Sequence, residues 1–141
     1  MEFVTLVGML GICSVEDIRN RQIRVAVVGL AGTIGVLWHL MKVRLSIWDV
    51  IAGMMVGCAV YLLSLLTGGK IGKGDALVFM VTGIYLGLWE NLILLWISSL
   101  IAAIVAEVML HFFHWKKTDT LPFVPCIFAG EVLLLLGGCI R

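Results

Sequence analysis

Two aspartates of this chain, Asp17 and Asp75, lie in surroundings that could support hydrolysis. Asp17 ends the first apolar segment, and Asp75 closes the stretch Gly72-Lys73-Gly74-Asp75. Two carboxyl groups held close together cannot both ionise, so one remains protonated while the other is charged. The charged partner can take a proton from a water molecule that attacks a peptide carbonyl, and the protonated partner can donate to the leaving nitrogen. This pattern predicts an acid–base pair that needs no metal.

The glycines before Asp75 allow two interpretations. They remove Cβ atoms, so the backbone can adopt conformations closed to other residues and a substrate chain could approach closely. They are equally typical of a flexible loop that ends in an aspartate helix cap. The residues alone leave both interpretations open. The glycines concerned are Gly68, Gly69, Gly72 and Gly74.

The remaining polar residues carry weaker signals. Asp49, Glu90 and Asp119 fall at predicted helix ends or in loops, where solvation is available. Glu131 falls near the middle of the last predicted helix, where it could be protonated, bonded to a neighbouring helix, or functional. The four cysteines have no paired spacing and no histidine partner nearby. We therefore expect no metal site and no cofactor.

The composition predicts the elements that must position these residues. Hydrophobic residues make up 62% of the 141, and charged residues only 13%. Because a soluble domain carries about a quarter charged residues, most of this surface must face lipid. We expect one all-α membrane domain, 1–141, and a net charge of +1 excludes a nucleic-acid-binding surface. The predicted bundle has six transmembrane helices: 2–16, 25–42, 47–66, 75–89, 90–113 and 121–140.

The sequence also predicts one turn and the helix contacts of this bundle. The junction Trp89-Glu90-Asn91 must be a tight turn, and five spans remain possible if 75–113 is divided differently. Small residues at four-residue spacing, Gly53 with Gly57 and Gly83 with Gly87, predict closely packed helices.

The distribution of Lys and Arg predicts the orientation. Seven of these residues fall in the loops 17–24, 67–74 and 114–120, against three on the other side. These loops should be cytoplasmic, which places both termini outside the cytoplasm. Asp17 and Asp75 would then lie at similar depth near the cytoplasmic face.

Three segments resemble the type IV prepilin peptidases and their archaeal preflagellin relatives. Asp17-Ile18-Arg19, followed by Ile23, is similar to the segment around that family's first aspartate. Gly72-Lys73-Gly74-Asp75 matches its Gly-x-Gly-Asp signature. Leu121-Pro122-Phe123-Val124-Pro125 looks like its Pro-Phe-x-Pro segment, which opens the last helix.

The resemblance implies an intramembrane aspartic endopeptidase with Asp17 and Asp75 as the catalytic pair. Gly72, Gly74, Pro122 and Pro125 would line the site. The substrate would be a prepilin-like precursor, cut between a short basic leader and its hydrophobic segment. The chain resembles the peptidase core without the extra N-terminal domain of the bifunctional bacterial enzymes, so methyltransferase activity is not expected.

The sequence departs from the family pattern at three positions. Arg24 stands where the family usually has proline, Val25 replaces a common asparagine, and Leu77 replaces a common lysine. These departures leave both aspartates in place but bear on leader preference and activity.

Two other functions fit the same acidic residues. Asp17, Asp75 and Glu131 could form a proton or cation path in a small transporter or channel. The chain could also be a catalytically silent membrane scaffold that keeps the family fold.

Overall fold

The computed structural model describes residues 2–20, 23–42, 45–68, 72–112 and 122–138, and within them every regular element is helical. The helices are α1 (Glu2–Asn20), α2 (Val25–Lys42), α3 (Ile47–Leu66), α4 (Lys73–Phe112) and α5 (Val124–Leu136). The all-α prediction is confirmed. Most of the basic residues behind the predicted orientation lie outside the described ranges: Arg21, Arg44, Lys70, Lys116, Lys117 and Arg141.

Helix α4 contains a reversal of the chain at Gly87. This residue has φ 76° and ψ −167°, a conformation almost restricted to glycine. Beyond it, the Asn91 side-chain amide donates to the Phe79 carbonyl at 3.1 Å. In a straight helix those residues would be about 18 Å apart along the axis. The element is therefore a hairpin of two antiparallel halves, 73–86 and 88–112.

The hairpin corrects two sequence-based predictions. A reversal was expected at Trp89-Glu90-Asn91, but these residues are helical and the turn comes earlier, at Gly87. The reason is that the turn needs a positive φ, which glycine adopts without a Cβ clash. The predicted six segments thus correspond to five elements, of which α4 supplies two halves.

Two helices in the described part of the chain are long and apolar enough to cross a membrane, Ile47–Leu66 and Lys73–His111. Six transmembrane helices are not supported by length and composition. Large apolar side chains are nevertheless exposed on every helix, an outer surface suited to an apolar environment. The most exposed include Val4, Met41, Trp48, Leu66, Trp96 and Leu136.

Helix α3 packs against the first half of α4 through glycines. A Cβ added at Gly53 or at Gly83 would collide with the backbone of the facing helix, and one at Gly57 would collide with Met80. Backbones therefore touch directly, as the predicted small-residue stripes require. The second glycine of one stripe, Gly87, makes the turn, and its backbone also lies against Gly53 of α3.

A buried polar cluster ties the α4 hairpin to α3. The Thr82 hydroxyl donates to the Asn91 side-chain oxygen at 2.7 Å. The Asn91 amide also donates to the Gly53 carbonyl at 2.9 Å. On the other side of the hairpin, the Tyr85 hydroxyl donates to the Ala31 carbonyl of α2 at 2.6 Å. The first half of α4 is thus held in the centre of the bundle, where it can position Asp75.

Candidate active site

Asp17 lies in the last turn of α1, and only 8% of it is exposed. The helix continues to Asn20, beyond the predicted end at residue 16, so Asp17 is a helical residue. Its Oδ2 accepts a hydrogen bond from the backbone amide of Val124, at 3.1 Å. Asp17 is therefore fixed by a group from the opposite end of the chain.

The Val124 amide belongs to the first residue of α5, between Pro122 and Pro125. Both prolines are partly buried. Pro125 sits in the first helical turn, where a missing amide hydrogen is tolerated. The predicted proline segment thus contacts the site through its backbone. Helix α5 begins at Val124 and not at the predicted residue 121.

Asp75 lies in the first turn of α4 and is also 8% exposed. Its carboxyl group accepts a hydrogen bond from the backbone of Gly72, the residue before the helix. This contact is one of the two hydrogen bonds of a capping box, the one in which the acidic side chain at position N3 accepts from the backbone amide of the N-cap residue. A Cβ at Gly72 would stand 2.7 Å from Asp75 Oδ2. Glycine at 72 therefore makes room for the carboxyl group.

Asp17 and Asp75 are both buried, and the charge of Asp17 acts on the Asp75 carboxyl group. The Cys126 side chain lies within electrostatic range of both. The Ile23 side chain packs against the backbone of Gly74, because a Cβ at Gly74 would stand 2.7 Å from Ile23 Cδ1. The burial of both acidic side chains and the electrostatic interaction between them agree with the predicted pair, and their shared catalytic role stays a prediction.

Further contacts close the site from the α5 side. The Phe79 and Phe123 rings are tilted at 43° with centroids 6.3 Å apart. This pair joins α4, one turn beyond Asp75, to the residue before Val124. The aromatic contact therefore positions the Val124 amide relative to both aspartates.

Arg24, where the family pattern has proline, has a local partner. Its Nε lies 3.1 Å from Glu16 Oε1, and its backbone amide donates to Glu16 Oε2 at 3.3 Å. Glu16 precedes Asp17, so the pair fastens the end of α1 to the start of α2. Being largely exposed on the Arg24 side, it contributes geometry more than stability.

Glu131 lies away from the pair. It is fully buried, and neither carboxyl oxygen has a hydrogen-bond partner among the described residues. It lies within electrostatic range of Glu90. It lies seven positions after Val124, which is about 10 Å along α5. The structure therefore does not bring Glu131 together with the two aspartates.

Sequence reasoning missed Ile23 and Val124 as site residues. Val124 acts through its backbone amide, which no side-chain pattern reveals, although the flanking prolines could have indicated a fixed chain path. No group of three or more potential metal ligands occurs within the described ranges.

Comparison with known proteins addresses the family directly. The model of the type IV leader peptidase family matches residues 4–107, more than half of the chain. The match includes both aspartates and ends before the proline segment. Comparison with curated proteins and with solved structures finds no match. With a family match that covers most of the helices and includes both buried aspartates, this chain belongs to the type IV leader peptidase family.

Proposed function

We propose that this chain is a membrane-embedded aspartic endopeptidase that removes the basic leader from type IV prepilin-like precursors. The family supports a leader peptidase, and membership implies prepilin-like substrates. The observation that supports the aspartic mechanism is the burial of Asp17 and Asp75 together with the electrostatic interaction between them. No other pair of acidic side chains in the described ranges combines such burial with the family's motif positions.

The two carboxyl groups divide the work of hydrolysis. The ionised aspartate accepts a proton from a water molecule as its oxygen attacks the scissile carbonyl carbon. The protonated aspartate hydrogen-bonds the carbonyl oxygen, and a proton then passes to the leaving nitrogen as the peptide bond breaks. Because the two residues titrate as a unit, the pH–rate profile should be bell-shaped. Its two apparent pKa values belong to the pair and not to either residue alone.

The helical segments suit a multi-pass arrangement in the cell membrane. We place both aspartates near the cytoplasmic face and both termini outside, following the distribution of basic residues in the sequence. A precursor would then enter with its hydrophobic segment in the lipid and its basic leader in the cytoplasm. The apolar outer surface of the bundle supports this arrangement.

Two alternative functions remain distinguishable by experiment. A proton or cation path would use Asp17, Asp75 and Glu131 in line, but Glu131 lies about 10 Å along α5 from the residue that binds Asp17. A silent scaffold would keep the fold without needing either carboxyl group.

The experiment is co-expression of a prepilin with Asp17→Asn and Asp75→Asn variants, followed by the mobility shift of the processed protein. Each variant should lose all cleavage while still entering the membrane fraction. The matched control is Asp49→Asn, since Asp49 is exposed at the start of α3. Cleavage retained by either site variant would overturn the proposal. Altered ion flux without any effect on cleavage would favour the transporter.

A further inference from the structure

The contact between α5 and Asp17 has a role beyond holding helices together. We infer that the backbone amide of Val124 is a positioning group for the reaction, which holds Asp17 in the orientation and the ionised form needed to activate water. This inference rests on the proposed function. It starts from one hydrogen bond, between residues 107 apart in the chain, from Val124 N to Asp17 Oδ2 at 3.1 Å.

The start of α5 is built so that this amide is free to donate to Asp17. The first four amides of a helix have no partner within it, so several donors normally compete at this end. Here Pro125 has no amide hydrogen. The amides of Cys126 and Ile127 donate to the Phe123 carbonyl, at 2.9 and 3.2 Å. Val124 is therefore the helix-start donor directed at Asp17.

The two aspartates accept their hydrogen bonds from different parts of the fold. Asp75 accepts from Gly72, which belongs to the start of its own helix, so that contact forms wherever α4 forms. Asp17 accepts from a different helix, so its contact forms only when α5 is seated against α1. An amide hydrogen bond also favours a carboxylate over a carboxylic acid, because the charged acceptor is the stronger one.

Other groups act on Asp17 and must be considered in any pH test. Asp75 faces it from α4 and Cys126 from α5, while Cys13 lies within its electrostatic range on α1. Glu16 is adjacent in sequence but is engaged by Arg24. None of these groups is altered by a change confined to the backbone at position 124.

The test replaces a single backbone amide by an ester. Val124 is replaced by α-hydroxyvaline through nonsense suppression, during cell-free synthesis of the full chain into liposomes. This removes the donor and keeps the side chain, but it also weakens the Phe123 carbonyl as the acceptor for Cys126 and Ile127. The matched control places α-hydroxyisoleucine at Ile127, which removes one of these two hydrogen bonds and leaves the Val124 amide in place. Cleavage of a synthetic prepilin is measured against pH and normalised to the inserted fraction.

We expect kcat of the Val124 ester to fall about 10- to 100-fold, as for the loss of a hydrogen bond to a charged group. KM should stay within about threefold, because the amide contacts Asp17 and not the substrate. The acidic limb of the profile should move to higher pH, since the ionised form of Asp17 is less favoured. The Ile127 ester should keep the profile of the unmodified chain.

Three results would overturn the inference. The first is equal kcat values for the two esters, and the second is a change confined to KM. The third is a lower kcat with an unmoved acidic limb, because that result indicates a structural role alone. The Asp75→Asn variant in the same liposomes separates this from the proposed function. If the Asp75→Asn variant still cleaves the prepilin, the aspartic mechanism is refuted. If it does not cleave, and the Val124 ester shows none of the expected changes, only the positioning role of Val124 is refuted.

Discussion

The contact between Gly74 and Ile23 should set the separation of the two aspartates. A Cβ at position 74 would stand 2.7 Å from Ile23 Cδ1 and 3.3 Å from its Cβ and Cγ1. Ordinary contact is 3.4–4 Å. In the Gly74→Ala variant, Ile23 Cδ1 must move by about 1 Å, through rotation of its side chain or separation of the two segments, and Cβ and Cγ1 must give by a few tenths of an ångström. Since a misplacement of about 1 Å can lower an enzymatic rate about 100-fold, we expect a loss of up to about 100-fold.

A second substitution tests the cause of that loss. Ile23→Val removes Cδ1, the atom nearest to the added methyl group. Alone it should destabilise the fold by about 0.5–1.5 kcal/mol and leave cleavage nearly unchanged. Combined with Gly74→Ala, it should restore cleavage to within about tenfold of the unmodified chain, because the closest overlap is gone.

The assay is initial-rate cleavage of a synthetic prepilin in detergent by the unmodified chain, the three single variants Gly74→Ala, Gly72→Ala and Ile23→Val, and the two double variants. Gly72→Ala is the matched control, since its added Cβ would meet the Asp75 carboxyl group instead of Ile23. Ile23→Val should give it no rescue. Full activity of Gly74→Ala, or rescue of both glycine variants alike, would refute the idea that this contact sets the separation.

Two further predictions concern the bundle, measured as the free energy of unfolding in mixed detergent micelles. Asn91→Ala should destabilise the protein by about 2 kcal/mol, because its side chain makes three hydrogen bonds of about 0.6 kcal/mol each; a loss under about 0.5 kcal/mol would contradict this. Gly53→Ala should destabilise by about 1–3 kcal/mol through backbone overlap with Gly83. Gly29→Ala, in open space, should instead stabilise by about 0.5–1 kcal/mol.

Much of the helical layout was predictable from the sequence because charge and apolar length mark helix ends in this chain. The bounds of α2 and α3 agree with the predicted 25–42 and 47–66. The end of α1 was predicted too early. Glu16 and Asp17 end the apolar run, but hydrogen bonding in the backbone continues to Asn20. An apolar pattern reports where lipid contact ends, which need not be where a helix ends.

The site was predictable only in part. Side-chain chemistry indicated Asp17 and Asp75, and in the structure both are buried and interact electrostatically. Their catalytic role remains a prediction. The packing around them was not foreseen, because Val124 acts through a backbone amide and Ile23 acts by filling the space over Gly74. Such contacts join residues far apart in the chain and leave no local pattern.

Glycine allows close packing both in the scaffold and in the site, because it has no Cβ. In lipid, helices gain little from burying apolar surface against each other, so precise association depends on close backbone contact. Gly53 and Gly83 provide it between α3 and α4, and Gly74 lets the Ile23 side chain, which follows α1, pack against the backbone beside Asp75. Both sets of contacts involve the first half of α4, which carries Asp75. Tight packing of this half against α3 therefore stabilises one carboxyl group, while Val124 and Ile23 determine how closely the other approaches it.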